Sequence, residues 1–131
     1  MSGGFVIATD DRLFQRAAAA LGELGGRTAP DAIGGGVVQF RDEADRLFTL
    51  YEQVPPGTEW EVYEGPVSAV PGVEPPDLAS VVACPFECRW ADLVALLAQA
   101  IAQVVQSPTW VLDGDGVLWA ASAVDPQRVR L

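Results

Sequence analysis

Four prolines, Pro66, Pro71, Pro75 and Pro76, punctuate the middle of this chain and split its apolar residues into two runs. Proline fixes φ and offers no N–H, so residues 65–77 favour extended, polyproline-like conformations and are not expected to continue a sheet. On either side of this connector the same order of patterns recurs: strand, helix, hairpin.

In the first run, Phe5-Val6-Ile7-Ala8 reads as a strand, and Thr9-Asp10-Asp11 supplies residues that satisfy free N–H groups at a helix start. Leu13, Phe14, Ala17, Ala18, Leu21 and Leu24 then recur at helical spacing until Gly25-Gly26, which predicts a helix over 11–24. Val37 to Phe40 and Leu47 to Tyr51 form a hairpin pattern around the acidic turn Asp42 to Asp45. A further strand is expected over 59–64, with Trp60 and Val62 on one face and Glu59, Glu61 and Tyr63 towards water.

The second run predicts a strand from Ser80 through Ala83 towards Arg89, a helix over 90–106 and a hairpin over 109–121. Asp113-Gly114-Asp115-Gly116 opens like a calcium loop, but Val117, Leu118 and Val124 stand where that loop needs ligands or glycine; a tight hairpin turn explains the same residues. The second helix is apolar almost all round yet too short for a membrane span, which marks a core helix and leaves room for a homodimer contact. Val129 and Leu131 alternate with Arg128 and Arg130, as an edge strand would. The expected architecture is a single α+β domain over 1–131, an antiparallel sheet or two half-sheets with two main helices packed on one face.

Charge narrows the function. Nine carboxylates (Asp42, Glu43, Asp45, Glu52, Glu59, Glu61, Glu64, Glu74, Asp77) face one cation, Arg46, within 42–77, and the whole chain carries a net charge of -10. Phosphate backbones and anionic membranes would be repelled, so neither nucleic acid nor membrane is an expected partner, whereas a basic protein would be attracted. The chain has no histidine and no lysine, so hydrolase triads lack a base and the usual metal sites lack ligands. Asp10 and Asp11 suit a helix start better than a phosphoryl-transfer pocket, since several such pockets also need a lysine. Cys84 and Cys88, if extended, lie about 13 Å apart, beyond the roughly 7 Å a disulfide spans, so both are expected as free core thiols. No catalytic residue, metal or cofactor is expected. The candidate partner-binding residues are Glu52, Glu59, Trp60, Glu61, Tyr63 and Glu64, aromatic anchors set among carboxylates. The avoidance of lysine and asparagine codons fits a high-GC bacterial genome, and Met1-Ser2-Gly3-Gly4 has no cationic n-region, which predicts cytoplasmic residence.

Small size, acidity, missing catalytic side chains and α+β alternation together resemble the bacterial immunity proteins that neutralise polymorphic toxins. That resemblance implies occlusion of a cognate toxin, often a basic nuclease, through an acidic surface, for which the stretch from Glu52 to Glu64 would serve. The doubled strand, helix and strands also resemble the glyoxalase and bleomycin-resistance group. That likeness implies a cleft between halves, here a metal-free one for a small ligand, lined by aromatics such as Trp60, Trp110 and Trp119.

Overall fold

The computed structural model describes residues 2–32, 34–59, 62 and 68–131. Among these, β1 (Gly3–Ala8) leads into α1 (Leu13–Glu23), followed by β2 (Arg27–Pro30), β3 (Gly36–Arg41) and β4 (Leu47–Tyr51). After β5 (Ser68–Ala69) come β6 (Val82–Glu87), α2 (Ala91–Val104), β7 (Thr109–Leu112) and β8 (Val117–Ala120). The strands form one sheet in the order β2-β3-β4-β6-β1-β7-β8-β5, antiparallel throughout except where β5 pairs with β8. The two strands that open the halves, β1 and β6, pair with each other in the interior of the sheet, Val6 opposite Cys84.

Each helix ends where its sequence directs. The Asp10 carboxylate accepts the Arg12 N–H at 2.9 Å and pairs with Arg16 Nε at 2.7 Å, which fixes the turn before α1, while the N-cap position falls on Arg12, whose side chain makes no capping bond. At the other end Gly26 N–H donates to Leu21 O and Gly25 N–H to Gly22 O, a Schellman closure that needs the positive φ of Gly25. Leu13, Phe14, Ala17 and Leu21 of α1 and Leu93, Val94, Leu97 and Ile101 of α2 share one core with Val38, Phe40, Phe48, Leu50, Cys84, Phe86 and Val111 of the sheet. Phe48 and Phe86 stack at 5.3 Å, and burying each such ring stabilises the fold by about 2 to 3 kcal/mol. Gly4 lets β1 and β7 approach: a Cβ there would stand 2.3 Å from Leu112 O.

The β3-β4 and β7-β8 hairpins use one turn design. Asp42 N–H donates to Arg46 O and Asp45 N–H to Asp42 O; in β7-β8, Asp113 N–H donates to Val117 O and Gly116 N–H to Asp113 O. The fourth residue of each turn, Asp45 or Gly116, has positive φ.

The opposite face of the sheet is covered over only part of its width. Val62 and Val81 close over Ile7, Ala83, Leu112 and Leu118, with Val54, Leu78 and Trp110 beside them. On β4 Thr49 is still buried on this face, whereas Arg27, Gln39 and Arg41 are exposed on β2 and β3.

Three expectations need correction, and one strand is new. Of the strand expected over 59–64 only Glu59 and Val62 are described: Val62 N–H donates to Glu59 O at 3.1 Å, a bond an extended strand does not make, and Val62 is buried on the second face, while the rest of the expected strand lies outside the described residues. Ser68–Ala69 does join the sheet, since a two-residue segment between prolines needs only two bonds, from Ser68 N–H to Gly116 O and Val70 N–H to Leu118 O. The tail forms no edge strand. Arg130 N–H goes to Asp113 Oδ2 and its carbonyl takes the Gly114 N–H, which folds the tail back on the turn and buries Val129. Finally β2 is a strand that no apolar alternation announces, all four residues being exposed.

Candidate functional site

The fold consumes part of the acidic stretch. Asp42 Oδ1 accepts the Ala44 and Arg46 N–H groups at 3.0 and 2.9 Å, while Oδ2 meets Arg46 Nε at 2.7 Å. These bonds, the backbone one from Arg46 foremost, hold the Asp42 carboxyl below its ordinary pKa. Arg46 reaches on to both Asp92 oxygens at 2.9 Å and lies 6.0 Å over the Trp90 ring, which ties the β3-β4 turn to the start of α2. Asp45 pairs with Arg41 at 3.3 Å, and Asp77 caps the short 3-10 turn Leu78–Ser80.

Of the six candidate partner-binding residues, Glu52 and Glu59 fall in the described chain; Trp60, Glu61, Tyr63 and Glu64 lie outside the described residues. Glu52 Oε1 accepts the Gly36 N–H at 2.8 Å and Oε2 the Gln15 amide at 3.3 Å, so this carboxylate joins the start of β3 to α1. Glu59 accepts the Gly57 N–H at 2.9 Å in an exposed turn. No hydrogen bond or ion pair joins the two among the described residues.

Residues that sequence reasoning did not single out stand near Glu52. Thr49 pairs with Glu87 across β4 and β6, which sets Glu87 diagonally beside Tyr51 on the less covered face. Partial burial first, then the charges of Glu87 and Asp31, push the Tyr51 phenol above its ordinary pKa. Asp31, Glu52 and Glu87 thus surround the end of β4, and no arginine lies within ion-pair distance of any of them among the described residues. Only strand register brings Asp31 and Glu87 together; no local motif marks them.

The two remaining motifs are structural. Asp113 is buried, and its carboxylate accepts N–H groups from Asp115 (2.9 Å), Val117 (3.0 Å), the Trp119 indole (3.0 Å) and Arg130 (3.2 Å). No group of three or more His, Cys, Asp or Glu among the described residues is placed to hold a metal. Cys84 and Cys88 are free and buried; burial, with Glu52 nearby, pushes the Cys84 thiol up to about 12.

An open groove of about 610 Å³ lies where the connector passes the end of α2, with Glu74, Pro75, Ala102, Ser107 and Trp110 among its walls. Trp119, expected beside Trp110 in a cleft, instead packs under the helices with its indole on Asp113. No helix among the described residues is long and apolar enough to cross a membrane. No family model, curated protein or solved structure matches the chain.

Proposed function

We propose that the chain is an acidic protein-binding module, an immunity or inhibitor protein that acts by occluding a basic partner such as a toxin. One observation carries the reading: a stretch of sheet without cover among the described residues is bordered by carboxylates that no described cation neutralises. Arg16, Arg41 and Arg46 are spent on Asp10, Asp45, Asp42 and Asp92, which leaves Asp31, Glu52, Glu59 and Glu87 outside any ion pair among the described residues. Such a field speeds the encounter with a basic surface, and an amphipathic anchor such as Tyr51 together with exposed sheet gives the encounter something to hold. Inhibition by coverage asks no bond chemistry of the inhibitor.

The test is neutralisation. Purified protein should suppress the activity of a basic toxin if one is encoded beside it, and Glu59→Lys with Glu87→Lys should slow association with that toxin at least about tenfold at low salt. Unchanged association after both reversals would remove the proposed surface. A second reading, a metal-free small-ligand protein, is favoured by the groove beside Trp110.

A further inference from the structure

We infer that the groove beside Trp110 seats the guanidinium of an arginine carried by the basic partner. The inference rests on the reading that the partner is basic, and it names a contact away from the end of β4. Chemistry, more than size, selects the occupant, although about 610 Å³ is within the roughly 300 to 1,000 Å³ of ligand sites. Glu74 is the one charged residue among its walls; it is exposed, and no cation stands within ion-pair distance among the described residues. The partly buried Trp110 lines the groove with Pro75 and Pro108, an aromatic and apolar wall.

A carboxylate near an indole suits a flat, weakly hydrated cation, which can stack on the ring and bond the carboxylate through its edge. An anion would meet Glu74 and the net charge of -10. A neutral aromatic would cover the indole and leave the carboxylate without a partner. Lysine would pair with Glu74 but gives up the planar stacking.

Nitrogen-15 NMR on the intact chain tests this, with N-acetyl-arginine amide, N-acetyl-glutamate amide and octa-arginine as probes. Both arginine probes should shift the Trp110 indole N–H and the amides of 72–74, and the glutamate probe should not. Glu74→Gln, at an exposed position, should weaken the arginine response about tenfold, and Trp110→Phe by less. Three results would overturn the inference: no shift at the groove, equal shifts from the glutamate probe, or a response untouched by Glu74→Gln. Shifts from the free amide without shifts from octa-arginine would also sink it, by making the site one for a small molecule. Octa-arginine binding only around Glu52 and Glu87 would overturn the groove and leave the proposed function standing. A responsive groove in a protein that neutralises no toxin would do the reverse.

Discussion

Asp113→Ala should destabilise the fold by about 2 to 4 kcal/mol, because the Trp119 indole and Arg130 N–H groups would lose their acceptor in a buried place. Urea unfolding checks this, and Asp113→Asn, which keeps one carbonyl acceptor, should recover part of the loss. The local part of that role was legible, since Asp-Gly-Asp-Gly between two apolar runs announces a hairpin. Its reach to Trp119 and to the tail was not, because those bonds join segments that only the fold sets side by side. Cys84 gives a residue-scale pH dependence. The unfolded thiol ionises near 9.0 while the folded one stays protonated to about 12, so stability is present below pH 9.0 and is lost as pH rises through that window. The slope is about 1.4 kcal/mol per pH unit, and Cys84→Ala should flatten it in unfolding curves taken across the window.

At the scale of elements, β2 shows how a short edge stays solitary. Asp31 N–H bonds Gly35 O, and antiparallel pairs alternate, so Thr28 and Pro30 turn their backbone groups away from β3. Proline has no N–H to give there, which halves the donors this edge offers. Pro30→Val should therefore raise self-association, read by light scattering against concentration; an unchanged profile would show that another feature guards the edge. Both helices, both hairpins and the strands β1 and β6 could be read from periodicity and turn residues. By contrast β2, with its Arg-Thr-Ala-Pro sequence, has neither alternation nor apolar bulk. The stretch around Val62 misleads for the opposite reason: alternating acids and apolar residues satisfy the strand pattern, while the one side chain described as buried there needs only a turn to reach Ile7 and Leu118.

For the whole molecule, charge is the property most easily read from sequence and the least easily placed. The count of carboxylates between Asp42 and Asp77 was plain, yet the fold ties Asp42, Asp45 and Asp77 into turns and draws Asp31 and Glu87 in from elsewhere. If those unneutralised groups steer a partner, the handicap of the Glu59→Lys, Glu87→Lys variant should shrink as salt rises, because the Debye length falls from about 30 Å at 0.01 M to about 3 Å at 1 M. A salt-independent handicap would mean a contact effect. The placement of β1 has a consequence of another kind. Phe5 and Val6 pair with Pro85 and Cys84 on one side and with Leu112 and Val111 on the other, so both neighbours of this strand are synthesised long after it. A nascent chain would hold this apolar ribbon without neighbours until β6 and β7 emerge, and products truncated before β7 should fall to proteases or holding chaperones.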